Sequence, residues 1–237
     1  MIAALPDQRQ SFLRARRKVL FATMFCYLFF YTGRQTFGFA IPGIQAEFGV
    51  SKETLGWVSA ALLWCYAIGQ MINGNLGDKF GGRRVMSAGA ILSCATNWAV
   101  SFSTGLASLG LLWGLNGYFQ AMGWAPGSRV LSNWFGPSER GKVFGCYVFA
   151  AGMASVLSFV TSILVVHIFE LEWRWIFRIP VLLMLLGGLT FLLVARERPE
   201  DLGFASPHEP QGEHIPQEAE EDSLQRYKAV LSNWRIW

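Results

Sequence analysis

From residue 19 to residue 195 the chain alternates long apolar runs with short charged islands. Six windows stand out, at 19–44, 55–76, 85–102, 105–131, 144–169 and 175–195. A helix needs roughly 20 mostly apolar residues to cross about 30 Å of hydrocarbon, and the windows are of that order. They are too long and too uniformly apolar for strands. They also lack the polar stripe that a helix on the surface of a soluble bundle carries. The pattern predicts an all-α polytopic membrane protein with six transmembrane helices, whose first partner is the lipid bilayer.

Composition agrees: 52% of residues are hydrophobic and 15% charged, against about a quarter charged in soluble domains. The charges that remain set an orientation. Arg9, Arg14, Arg16, Arg17 and Lys18 precede the first window, and Lys79, Arg83 and Arg84 follow the second. Arg140 and Lys142 follow the fourth, and Arg196 and Arg198 the sixth. The other connections are poor in Lys and Arg, so the positive-inside pattern places both termini in the cytoplasm. A basic tail that abuts a span reads as a topology determinant, and no nucleic-acid partner is expected. The first run is too long, and lacks the cleavage site, for a removed signal peptide. The expected organisation is a basic tail (1–18), a six-helix bundle (19–195), an acidic, proline-rich linker (196–223) and an amphipathic helix (224–237). That helix would lead towards a seventh span.

Catalytic chemistry finds no foothold. Cys26, Cys65, Cys94 and Cys146 sit singly within spans, and the three histidines are scattered. That leaves no metal cluster or disulfide framework. No nucleophile–base pair or phosphate-cradling glycine loop is present, so no enzyme and no cofactor is expected.

One charge is out of place. In FFYTGRQTFG, residues 29–38, Arg34 lies inside the first window. It is roughly 22 Å along a helix from Val19. An arginine at a span centre costs about 2.5–3.5 kcal/mol on insertion scales. It can snorkel to an interface or pair with a carbonyl. It can also face the bundle interior as a ligand, its guanidinium gripping two oxygens of an anion in a fixed fork. The second reading makes Arg34 the leading site residue, with Gly33, Gly38, Pro42 and Gly43 letting the helix bend around a cavity. Trp124, between Gly123 and Pro126, is the tryptophan expected near that cavity. Trp57, Trp64, Trp98 and Trp113 read as belt or packing residues. Arg129 reads as an interfacial anchor.

The second window closes on GNLGDKFGGRR, residues 74–84. Gly74 and Gly77 would leave a smooth face for a close helix contact. Asp78 ends the apolar run, and Gly81 and Gly82 allow a tight turn before Arg83 and Arg84. Read plainly, this is a helix stop with basic anchors. The full spacing G-x-L-x-D-K-x-G-x-R-R resembles the cytoplasmic loop motif of the major facilitator superfamily. That resemblance implies a gating role for Gly74, Asp78, Arg83 and Arg84, with the aspartate facing a helix end of the other half. Glu139 and Arg140 echo the motif in the second three-helix repeat and are expected to pair with the basic loop after span two.

Two further segments, QAMGWAPGSRVLSNWFGPSERG and RPEDLGF, resemble the organophosphate:phosphate antiporter branch, as does YTGRQTF around Arg34. In that branch this arginine binds phosphate. The resemblance implies an antiporter half exchanging a sugar phosphate or glycerol phosphate for inorganic phosphate, with Arg34, Gln70 and Trp124 at the site. The chain departs from the branch where Gln35, Gln70 and Ala151 replace lysine, lysine and histidine. One cation remains in this half, which also admits a singly charged organic acid. A facilitator has two six-helix halves, so a second half is the expected partner. The alternatives are a transporter-like membrane sensor of sugar phosphates and an inactive truncated product.

Overall fold

The computed structural model describes residues 6–207 and 232 of the chain, and these residues are helical with no strand. The basic segment before the first window is not a separate tail. From Pro6 it is helical and continuous with the first span as α1 (Pro6–Phe30). A 3₁₀ turn at Tyr31–Gly33 breaks that span, which resumes as α2 (Phe37–Phe48). The second and third windows become α3 (Lys52–Phe80) and α4 (Gly82–Val100). The fourth is also split, into α5 (Leu106–Gln120) and α6 (Trp124–Trp134). α7 (Pro137–Ile163) runs on into a π turn, Leu164–Ile168. A 3₁₀ turn at Trp173–Phe177 leads into α8 (Ile179–Val194).

The six windows are therefore six spans, two of them broken. By length and composition alone, three stretches among the described residues are long and apolar enough to cross a membrane: Lys52–Phe80, Pro137–Ile168 and Trp173–Val194. The broken spans divide their apolar length between two helices, and α4 is diluted by buried Ser87, Ser93, Thr96 and Asn97.

Polarity is inverted relative to a soluble bundle. Trp57, Trp64, Leu111 and Leu193 are at least 70% exposed, whereas Asn97, Asn116 and Gln120 are at most 2% exposed. An apolar exterior of this extent needs a lipid or protein cover, and polar groups within a bundle serve as glue between helices.

Two hydrophobic clusters fill the interior. One, around Cys26, Phe30, Met86, Trp134, Tyr147 and Phe191, lies toward the basic end, where α3 meets α4. The other, around Phe37, Ile44, Leu55, Trp113 and Phe177, fills the opposite end. The break at residues 31–36 lies between them, which lets α1 and α2 pack independently.

The closest helix contact is not where the loop motif suggested. A Cβ at Gly74 would meet nothing within 4 Å, and one at Gly77 would make only ordinary contact with Pro126, at 3.5 Å. α3 instead crosses α5 where a Cβ at Gly117 would stand 2.2 Å from the Leu62 carbonyl oxygen. The expected turn does form, with Gly81 at φ 86° between α3 and α4. Beyond α8, residues through Pro207 belong to the compact unit rather than to a solvated linker. Phe204 packs edge-on against Phe12 with centroids 5.5 Å apart, and Trp134 Nε1 donates to the Arg196 carbonyl at 2.9 Å. The rest of the expected linker and the amphipathic helix, Ser232 apart, lie outside the described residues.

Candidate functional site

Arg34 sits at the break in span one. Its backbone leaves helical geometry at φ −134°, ψ −33°, and its half-buried side chain lies among tyrosines. The guanidinium carbon is 4.0 Å from the centroid of the Tyr31 ring and 5.1 Å from that of Tyr66 on α3. Such cation–π contacts are worth from about 0.5 to 2 kcal/mol depending on desolvation. They hold the charge without neutralising it. Among the described residues no carboxylate pairs with Arg34, and the six windows contain no Asp or Glu. The site is thus a cation with phenol donors around it and no acid to compete for it.

Rings connect Arg34 to Trp124. Tyr31 meets Tyr27 at 5.7 Å, Tyr27 meets Trp124 at 5.7 Å, and Trp124 stacks on Tyr147 at 4.9 Å. Trp124 shares the aromatic wall with Arg34, with two rings between them. Gln70 lies one helical turn from Tyr66 and is half-buried. Gln35 donates to Ser155 Oγ on α7 at 3.0 Å, and Ala151 packs against the core cluster toward the basic end. Sequence reasoning missed Tyr27, Tyr31 and Tyr66. The aromatic flank in residues 27–31 was a signal for the first two, and nothing in sequence tied Tyr66 to them.

A buried polar network supports the break from behind. Breaking a helix frees carbonyls that lipid cannot satisfy. Asn116 Nδ2 on α5 donates to the Gly33 carbonyl at 2.8 Å. Its Oδ1 accepts from Ser93 Oγ at 2.6 Å and Asn97 Nδ2 at 3.0 Å, both on α4. Gln120 Nε2 adds a bond to Ser93 Oγ at 2.7 Å. Thr32 Oγ1 donates to the carbonyls of Phe29 at 2.6 Å and Pro180 at 3.2 Å. A Cβ at position 33 would stand 2.6 Å from Gln120 Nε2, so a side chain there would push Gln120 away from its bond to Ser93.

The basic end holds a second polar cluster, and it departs from expectation. Asp78 forms an ion pair with Arg129 within this bundle, so Arg129 is a bridge rather than an interfacial anchor. Arg129 Nε also stands 3.7 Å from Glu197 Oε1. The Glu197 carboxylate accepts from the backbone amides of Gly82 and Arg83, both at 2.8 Å. It thereby caps the N-terminus of α4, where amides and dipole favour an anion. Arg83 reaches the Ala195 carbonyl at 3.2 Å, and Arg84 and Arg140 are exposed. Glu139 does not pair with the loop after span two. Both its oxygens are taken by Arg16 at 2.7 Å, because the helical basic segment brings that guanidinium alongside the start of α7.

At the opposite end, Glu47 pairs with Arg174 and accepts from Trp173 Nε1 at 2.9 Å. The Arg174 guanidinium, followed by the indole N–H, holds the Glu47 carboxyl below its ordinary range.

A bundle of broken apolar spans with a cation at one break is the architecture of a polytopic membrane protein. The match to known proteins is specific: residues 23–237 fit the Major Facilitator Superfamily, and the chain belongs to that family as an N-terminal half. It is 29% identical to the "Probable hexose phosphate transport protein" of Chlamydia trachomatis, over 94% of this chain and 52% of that protein. Identity is 28% with the "Glycerol-3-phosphate transporter" of Bacillus subtilis, over 86% of this chain and 47% of the relative. The "Membrane sensor protein UhpC" of Escherichia coli is 27% identical, over 94% and 52%. The chain thus spans about half the length of these relatives. In fold it resembles a bacterial homologue of the human lysosomal transporter Spinster, with TM-score 0.70 at 18% identity, over 91% of this chain and 49% of that one.

Proposed function

We propose that the chain is the N-terminal half of a secondary transporter for an organic anion, a phosphorylated sugar or glycerol phosphate exchanged for inorganic phosphate. One observation carries this reading: Arg34 sits at the break of span one with phenols beside it and no carboxylate in any of the six apolar windows. An oxyanion gripped by the guanidinium fork would offset the cost of a charge inside the bilayer. Gln70 and Trp124 belong to the wall of the same site. The relatives named for hexose phosphate and glycerol 3-phosphate transport support the substrate class. A second six-helix half would complete the site, since alternating access rocks one half against the other. The cluster of Asp78, Arg129 and Glu197 would gate the basic end, together with Gly74, Arg83, Arg84, Glu139 and Arg140. Both termini would lie on the cytoplasmic side of a bacterial inner membrane.

The test is phosphate exchange in proteoliposomes holding the chain with a co-expressed second half. Arg34→Lys should lose exchange almost as fully as Arg34→Ala, with insertion unchanged, because an ammonium lacks the bidentate fork. Near-normal affinity in the lysine variant would sink the role given to Arg34. The chain alone should give no exchange. A second reading, a sugar-phosphate sensor, draws on the likeness to the UhpC sensor. Saturable binding of a sugar phosphate by the two halves together, without flux, would favour it.

A further inference from the structure

Away from Arg34, on the flank of α1, two cavities of opposite character adjoin. A groove of about 590 Å³ runs between α1, α7 and α8, walled by Phe21, Phe25 and Leu28 and by Phe149 and Met153 across from them. The large side chains stand open to the surroundings, with Phe21 66% and Phe149 64% exposed. Arg17 and Lys18 stand at its basic end. Through Lys18 and Val194 the groove continues into a cavity of about 320 Å³ whose polar wall is Ser11, Arg14, Lys18 and Arg196. Among the described residues no Asp or Glu lines either cavity. The nearby carboxylate of Glu139 is spent on Arg16.

We infer that these cavities form one binding site for an anionic phospholipid, with the phosphodiester among Arg14, Lys18 and Arg196 and an acyl chain in the groove. Three features select this occupant. Arg14 and Lys18 precede the first apolar residues of span one and Arg196 directly follows the last of span six, which is headgroup level for helices meeting a bilayer surface. From Lys18 to Leu28 the groove descends about 15 Å at 1.5 Å per residue, half of a roughly 30 Å hydrocarbon core and thus the depth of one leaflet. Lastly, basic side chains at this level attract anionic lipid, and no acid is among the described residues that line this set's cavities. A free phosphate would use the basic cavity and leave the groove without purpose. The site is separate from Arg34 and does not depend on the transport reading.

The experiment is a titration of the full chain, purified in a neutral detergent, with phosphatidylglycerol and with phosphatidylcholine of the same acyl chains, read by native mass spectrometry. Phosphatidylglycerol should bind in one-to-one stoichiometry and at least about tenfold tighter than phosphatidylcholine. Replacing Arg14, Lys18 and Arg196 together by glutamine should erase that preference, losing roughly fivefold per cation. Should the triple variant fail to fold, exposed Lys18→Gln alone serves, with a loss of roughly fivefold. Met153→Trp, which fills the groove, should weaken both lipids alike. Arg34→Lys should leave lipid binding unchanged, which separates this site from the proposed substrate site. Equal binding of the two lipids, unchanged phosphatidylglycerol affinity in the glutamine variants, or displacement of the lipid by millimolar inorganic phosphate would each overturn the assignment.

Discussion

Two of the six spans are broken, and the breaks are held in different ways. At residues 31–36 polar side chains meet the carbonyls of the broken span, Asn116 from α5 at Gly33 and Thr32 at Phe29, and Thr32 also ties the break to the Pro180 carbonyl of α8. At residues 121–123 the chain turns on its own backbone bonds, Met122 to Phe119 at 3.1 Å and Gly123 to Gln120 at 3.2 Å. One outside donor helps there, Tyr147 Oη on the Gly123 carbonyl at 3.0 Å, and stacked rings do the rest. The first break carries a guanidinium and the second carries only apolar residues and glycine. Polar side-chain support is concentrated where a charge must be held at a fixed place, and ring packing suffices where none is.

The largest effect should follow from cutting the polar support at the first break. Asn116→Leu removes the bond to the Gly33 carbonyl and the acceptor shared by Ser93 Oγ and Asn97 Nδ2. Bonds of this kind inside bundles are worth about 0.6–2 kcal/mol each. We expect a loss of roughly 2 kcal/mol in unfolding titrations in detergent, together with weakened anion binding at Arg34. Stability loss with binding intact would show that the network does not position the arginine.

A smaller effect should come at the second break. Tyr147→Phe keeps the ring against Tyr27 and Trp124 but deletes the donor to Gly123. About 1 kcal/mol of stability should go, with Arg34 chemistry unaffected. A drop as large as that of Asn116→Leu would erase the distinction between the two breaks.

The smallest effect belongs to the opposite end, where Glu47 and Arg174 are an exposed pair. Glu47→Gln should cost less than about 1 kcal/mol. Because the folded carboxyl titrates below its ordinary 4.5, the pair contributes above that pH, and its contribution is lost as pH falls through the lowered value. Thermal unfolding of the parent should therefore lose a small increment on acidification below pH 4.5 that the glutamine variant lacks.

The spans were legible because hydropathy reads burial in lipid directly. The breaks were not, because a window is equally apolar whether its helix is continuous or bent. Gly33 and Gly123 marked positions where bending was possible without requiring it. Arg34 was legible as a charge in the wrong solvent. Its surroundings were not: Asn116 lies 83 residues from the carbonyl it serves and looks in sequence like a stray amide in an apolar run. Glu197 was read as the start of a linker, since nothing local marks a carboxylate destined for a helix N-terminus 114 residues earlier. Glu139 pairs with Arg16 rather than with the loop after span two, because the basic segment before span one is helical and carries Arg16 to the start of α7, which nothing local to Glu139 marks.

The absence of any acid from the six windows also has an electrical consequence. A unit charge moved through the full membrane potential exchanges about 2.3 kcal/mol per 100 mV with the field. An empty site at Arg34 presents one positive charge to that field. On the proposed reading, a bound monoanion would cancel it, and a phosphate ester with both protons lost would reverse it. The second proton of such an ester leaves near pH 6. Acidifying the solution from pH 7 to pH 5 should thus take the loaded site from a net charge near −1 to near zero and remove the voltage dependence that the loaded site contributes.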